Sequence, residues 1–156
     1  MARECKIRIK IGNGSIQEAV TAWGLYLMKS DDTIVAPIKD YEIQEFPESA
    51  KPEVYPYTTL KPFDYTCTLL CLGELTQVNA TVKAFFDSLF TITSGVDLRQ
   101  ALEVTLYNDY KGVRVSGYVK PIEGKGYYPH LVEYEKGAYV FDFVLYVADP
   151  NTLMPL

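Results

Sequence analysis

Polar and apolar residues alternate strictly near one end of the chain and lose that alternation near the other. In ECKIRIKIG, Cys5, Ile7, Ile9 and Ile11 fall on one side and Glu4, Lys6, Arg8 and Lys10 on the other. That period of two predicts a strand with one buried face. In YVFDFVLYVADP, Tyr139, Phe141, Phe143, Leu145 and Val147 make one wholly apolar face, while Val140, Asp142, Val144, Tyr146 and Ala148 make a second that is only partly polar. This predicts a long strand stopped by Asp149-Pro150. The run from Val140 to Val147 is far shorter than the ~20 apolar residues a membrane-spanning helix needs.

Between these ends the pattern changes period once. Val82, Phe85, Phe86 and Leu89 in NATVKAFFDSLF recur at i, i+3, i+4 and i+7, which predicts one amphipathic helix, N-capped by Asn79 and ended by TSG, packing its stripe on a sheet. Strands are expected in AWGLYLM, in TIVAPI after the turn KSDDT, in YTCTLLCLG, ALEVTLYN and VRVSGYVKPI, with Asn108-Asp109 and the glycine-rich EGKGYY as turns. Pro47, Pro52, Pro56 and Pro62 interrupt the stretch from Asp40 to Tyr65. Proline removes ladder donors and biases its predecessor to extended geometry, so residues 46–63 are expected to form a long exposed loop or arm. An ordered connection of that length is usually functional or a partner contact. The expected fold class is α+β, mainly β: a two-sheet sandwich or open barrel with one packed α-helix, in a single domain spanning residues 1–156.

Composition supports that reading. With 156 residues, 48% of them hydrophobic and 13% aromatic, including 13 Tyr and 7 Phe, the chain is long enough to bury about two thirds of its unfolded surface, and Tyr and Phe favour strands. The opening MARECKIRIK lacks the apolar core of a signal peptide, so an intracellular product is expected. Cys67 and Cys71 are four residues apart on a predicted strand, about 13 Å between Cα atoms, too far for a disulfide or shared metal ligation. They read as small buried hydrophobes.

Candidate chemistry is sparse. His130 is the single histidine and follows Pro129 in a turn-like stretch, with no nucleophile motif to serve. The GNGS loop lacks the Lys-Ser/Thr of a phosphate loop. Glu42, Glu45, Glu48 and Glu53 match no calcium-loop spacing, which leaves them as a solvated face. A net charge of -5, with no basic cluster, disfavours nucleic-acid binding. No catalytic residue, cofactor or metal is expected, and no enzyme.

The order of WGLYL at Trp23 to Leu27, VKAFFDSLF at Val82 to Phe90, YNDYKGVRVSGYV at Tyr107 to Val119 and FDFVLYVADP at Phe141 to Pro150 resembles the tail-tube-like domain of phage distal tail proteins. The resemblance implies a virion structural protein, made in the bacterial cytoplasm, that forms a ring, commonly hexameric, at the junction of tail tube and baseplate of a long-tailed phage or prophage. Its partners would be itself and other tail or baseplate proteins. It also implies that the last strand is partly core and partly open to a neighbouring subunit, since an unpaired strand of this kind in a monomer invites aggregation. The 156 residues leave no room for the carbohydrate-binding domain that larger members append. On this reading Phe46, Tyr55, Tyr57 and Phe63 are the expected subunit-interface residues of the arm, and Asp40, Glu42, Glu45 and Glu48, the densest acidic group, are candidates to line a bore that passes DNA without holding it. The alternative from residues alone is a monomeric β-barrel that binds a small apolar ligand, which would also be rich in Tyr and Phe.

Overall fold

The computed structural model describes residues 6–45, 51–93, 95, 98–129 and 137–156. In chain order the strands are β1 (Ile7–Ile11), β2 (Gln17–Glu18), β3 (Leu25–Ser30), β4 (Glu42–Gln44), β5 (Glu53–Tyr55), β6 (Phe63–Leu72), β7 (Phe90–Ile92), β8 (Arg99–Ala101), β9 (Val104–Asn108), β10 (Val113–Val119), β11 (Glu123–Tyr128), β12 (Ala138–Val147) and β13 (Met154–Pro155). Helix α1 (Ala19–Trp23) precedes β3, and α2 (Leu75–Ser88) follows β6. The α+β, mainly β, class is as expected.

The main sheet is antiparallel throughout and runs β2-β1-β9-β10-β12-β6-β3, with β11 added to β12 and β13 to β10. It turns over at β10. Val113 to Gly117 pair with β9, whereas Tyr118 and Val119 pair with Tyr146 and Leu145 of β12. Gly117 sits at the switch, where a Cβ would lie 2.5 Å from the Tyr146 carbonyl oxygen. Only glycine lets the two backbones come that close. The two halves of the sheet share one core that includes Ile7, Ile9, Leu106 and Val115 from one side and Leu25, Tyr65, Leu69, Phe141, Phe143 and Leu145 from the other. Helix α2 closes this core with Val78 and Phe85, and its C-cap residue Leu89 joins them. Phe85 meets Trp23 edge-on at 5.1 Å and Phe143 at 5.5 Å.

One polar network lies inside. The buried Asn108 side chain donates through Nδ2 to Tyr65 Oη at 3.0 Å and accepts from the Lys111 backbone N–H at 3.1 Å. Burial pushes the Tyr65 phenol up to about 12. Cys67, on the inner face of β6, is likewise pushed up to about 12 by burial, and both Cys67 and Cys71 are free, buried thiols.

Several elements differ from expectation. The stretch AWGLYLM divides into α1 and β3 at Gly24, whose φ of 67° ends the helix in a conformation that favours glycine. TIVAPI forms no strand; Ile34 and Val35 are exposed, and Pro37 cannot donate to a ladder. Helix α2 begins at Leu75, with an extended Glu74 before it and Asn79 inside it, because the buried Val78 carries the apolar stripe one turn further back than Val82. It ends at Ser88, and the chain then enters the β7–β8 hairpin. EGKGYY is a strand with a bulge between Gly124 and Gly126, the bulge being the reason for its glycines.

The last long strand is the centre of its sheet. β12 pairs with β6 along its whole length, from Ala138↔Leu72 to Val147↔Phe63, and its other edge is taken by β11 and β10. Both edges being filled, it offers no strand edge to a neighbour, and its near-continuous apolar run is that of a central strand. Asp149 caps a short 3-10 turn at Pro150–Thr152, after which β13 returns to pair with β10.

Candidate assembly surface

The described residues 37–45 and 51–61 form an antiparallel ribbon whose outer part is exposed throughout. Its stem is an antiparallel pairing in which the Lys61 N–H donates to the Pro37 carbonyl at 2.8 Å and the Lys39 N–H to the Thr59 carbonyl at 2.9 Å, with Ile38 bridged to Leu60. Further out, β4 and β5 pair as Glu42↔Tyr55, Ile43↔Val54 and Gln44↔Glu53. Every described residue from Ile38 to Glu45 and from Lys51 to Thr59 is exposed. Pro52 and Pro56 flank β5 without entering it, which reconciles the prolines with a strand between them.

The register gives the ribbon two unlike faces. Residues paired directly across a ladder share a face, so Glu42, Gln44, Glu53 and Tyr55 lie together, whereas Ile43 and Val54 lie on the other side. The Tyr55 and Tyr57 rings are 5.0 Å apart, tilted at 52°. Tyr57 is 72% exposed and Ile43 58%. With Ile34, Val35, Ile38, Tyr41, Val54 and Tyr55 also exposed, this is a concentration of apolar surface that a protein functioning alone seldom shows to water.

The base of the ribbon is fixed to the body on both sides. Asp32, before the stem, pairs with Lys111 in the β9–β10 turn; the contact holds the Asp32 carboxyl below its usual range and raises the Lys111 ammonium. Asp64, after the stem, pairs with Lys120 at 2.9 Å. Asp31 Oδ1 accepts from the Thr33 N–H at 3.0 Å and from the Thr33 hydroxyl, a local turn, while the Asp31 N–H donates to the Thr66 carbonyl at 2.9 Å. An open cleft of about 410 Å³ beside this base is lined by Lys29, Asp31, Asp32, Thr66, Thr68 and Asp142. Asp142 is already engaged by the Thr68 hydroxyl at 2.8 Å and by Lys125 at 3.2 Å. Among the described residues no group of His, Cys, Asp and Glu is arranged to hold a metal ion, and no helix is long and apolar enough to cross a membrane.

No family model matches the sequence, and no curated protein matches it. The fold, however, is shared. The chain superposes on the crystal structure of Dit (gp 19.1) of phage SPP1, described as a paradigm of the hub adsorption apparatus in phages that infect Gram-positive bacteria, with a TM-score of 0.59 and 11% sequence identity. The match covers 92% of this chain and 50% of the SPP1 protein, so the chain spans about half the length of that relative. At this identity the likeness is one of fold.

Of the residues singled out from sequence, Tyr55 and Tyr57 lie exposed on the ribbon, with Asp40, Glu42 and Glu45 along its other strand. Phe63 is the first residue of β6 and is half-buried against the main core. Phe46, Glu48 and His130 lie outside the described residues. The exposed aliphatic residues Ile34, Val35 and Ile38 were expected in a strand and not as surface, whereas Ile43 and Val54 fall in the proline-rich stretch expected to be exposed. Their signal was present for β4 and β5, since Glu42-Ile43-Gln44 and Glu53-Val54-Tyr55 each alternate polar and apolar.

Proposed function

We propose that the chain is a structural subunit of a long-tailed phage or prophage tail, a single tail-tube-like domain that assembles into a ring at the tube–baseplate junction and has no catalytic role. The observation that carries this is the ribbon: a hydrogen-bonded strand pair anchored at its base, with exposed apolar side chains on both faces, built on a fold shared with SPP1 Dit. Six apolar residues of the ribbon, Ile38, Tyr41, Ile43, Val54, Tyr55 and Tyr57, are each 44–72% exposed, and Ile34 and Val35 just before its stem add to them, a concentration of apolar surface of the kind that marks a protein–protein contact. Tyr55 and Tyr57 are its aromatic anchors. The interior that an apolar-ligand barrel would keep hollow is occupied by Tyr65, Phe85, Phe141 and Phe143, each fully buried, which favours assembly over ligand binding.

The test is size. Light scattering and native mass spectrometry of the purified chain should give a closed oligomer, six being the copy number the resemblance implies, and negative-stain images should show rings. A strict monomer that takes up an apolar dye would replace this reading with the ligand-binding one.

A further inference from the structure

A second unpartnered apolar feature lies on the opposite kind of surface, a groove. It is walled by Val82, Lys83 and Phe86 of α2 on one side and by Pro121, Ile122 and Tyr139 on the other, with a volume of about 340 Å³. Its walls carry aromatic rings held by neighbours: Phe86 packs edge-on to Phe90 at 5.0 Å, and Tyr139 stacks on Phe141 at 5.9 Å. Lys83 is the cation at its rim. Among the described residues Lys83 makes no ion pair within 4 Å; it feels the field of Asp87, but that carboxylate is already bonded to Arg99 at 2.6 Å.

We infer that this groove receives the ribbon of a second copy of the chain, with Tyr55 or Tyr57 entering between Phe86 and Tyr139 and Glu53 meeting Lys83; the inference rests on the ring assembly proposed above. Three observations converge on a copy of this chain as the occupant. The first is complementary chemistry, since the ribbon face that carries Tyr55 also carries Glu53 and Glu42, acids beside an aromatic anchor, and the groove offers an apolar slot beside a free cation. An ion pair at the rim of a buried aromatic contact fixes register and excludes wrong partners more than it adds affinity. The second is reach. From Pro37 to Glu45 the ribbon can extend up to about 26 Å at roughly 3.3 Å per residue, while a domain of this size has a radius of gyration of about 15 Å. The ribbon is therefore long enough to cross a subunit boundary and lie along a neighbour. The third is exposure, because Tyr55 and Tyr57 are 59% and 72% exposed, and large aromatic side chains left open to water call for an apolar receiving surface. If every copy donates its ribbon forward and receives one in its groove, the contact is head-to-tail, the kind that closes into a ring.

The experiment places a photo-crosslinking benzophenone amino acid at Asn79, an exposed groove residue on α2, in the full chain. Equal amounts of isotopically light and heavy chains are mixed and irradiated, and the products are mapped by mass spectrometry. The expected product joins a light chain to a heavy one, with the attachment inside residues 42–57. In parallel, Lys83→Glu should weaken self-association at least ten-fold, and Lys83→Glu combined with Glu53→Lys should recover most of that loss, since both positions are exposed and neither swap touches the core. Intact oligomers whose crosslinks map outside the ribbon, or whose stability is indifferent to Lys83→Glu, would overturn the groove assignment and leave the ring standing. A chain that is monomeric at every concentration would overturn both, and a crosslink confined to one chain would show the ribbon folding back on its own body.

Discussion

Phe85 and Phe86 are adjacent on α2, yet the structure assigns them different work, and truncating each to alanine separates the two. Phe85 is fully buried, edge-on to both Trp23 and Phe143. Removing a buried phenyl ring costs about 3–5 kcal/mol in lost transfer energy and cavity. Each edge-to-face pair is worth about 0.5–1.5 kcal/mol beyond burial, which puts Phe85→Ala at the upper end of that range, about 4–5 kcal/mol. Phe86 is half-buried, keeps its ring against Phe90 and lines the groove, so Phe86→Ala should cost the fold only about 1–2 kcal/mol, while weakening self-association by at least ten-fold. The assay is urea unfolding followed by circular dichroism at a concentration where the chain is dissociated, with the m-value checked for constancy, alongside sedimentation of both variants. Equal losses of fold stability in the two variants, or a Phe85→Ala cost below about 1.5 kcal/mol, would mean that α2 does not pack as described.

Gly117→Ala should destabilise the fold by about 1–3 kcal/mol, because its Cβ meets the Tyr146 carbonyl oxygen at 2.5 Å; a thermal melt unchanged within a degree or two would remove the close approach from the account. Tyr65→Phe leaves the buried Asn108 Nδ2 without its partner and should cost about 1–3 kcal/mol near neutral pH. The folded Tyr65 titrates near 12 against about 10 in the unfolded chain. Below pH 10 both states are neutral; above it the unfolded chain loses its proton first, so stability falls as pH rises toward 12. The Tyr65→Phe variant should show a shallower fall over that window, and an identical slope would mean that the phenol is not held in the core. Replacing residues 42–57 with a short Gly-Ser turn should abolish assembly while shifting the melting temperature of the body by only a few degrees; the reverse outcome would make the ribbon part of the core. If six chains form the ring they would carry 6 × -5 = -30 in formal charge, and with Asp40, Glu45 and Glu48 as candidate bore-lining acids the oligomer should show no binding to duplex DNA even at low salt. Micromolar binding that weakens steeply with added salt would reveal a basic surface.

What could be read from sequence follows from what enforces each pattern. Burial of one face forces a period of two on β1 and β6, so Ile7, Ile9, Cys67 and Cys71 were legible as core, and the apolar run at Tyr139 to Val147 was legible as a long strand. Its neighbours were not. Whether β12 is an edge or a centre depends on pairing with residues 63–72 and 118–128, distant segments whose register no local pattern encodes. The same holds for Gly117, which looks like any other glycine until Tyr146 is brought against it. The ribbon was half legible: the prolines point to an exposed connection, but the pairing that builds it begins before them, at Ile38 with Leu60, Phe63 already belongs to β6, and the short alternations that pair as β4 and β5 were hidden among the prolines.

The groove was illegible for a more instructive reason. A helix advances about 100° per residue, so Phe85 and Phe86 can both belong to a broad apolar stripe, and periodicity alone treats them as equivalent. The sheet beneath α2 covers only part of that stripe: Val78, Phe85 and Leu89 are buried, while Val82 and Phe86 are left half-exposed at its margin. Stability of the isolated fold accounts for the first set and for part of the second, since Val82 packs against the main core and Phe86 against Phe90; it does not account for the portion of each that stays open to the groove. The apolar surface that α2 leaves at the groove, beside Lys83, is what the proposed ribbon contact would cover, so a Phe86→Ala variant that loses self-association while its fold stays intact is the outcome that separates the helix's two roles.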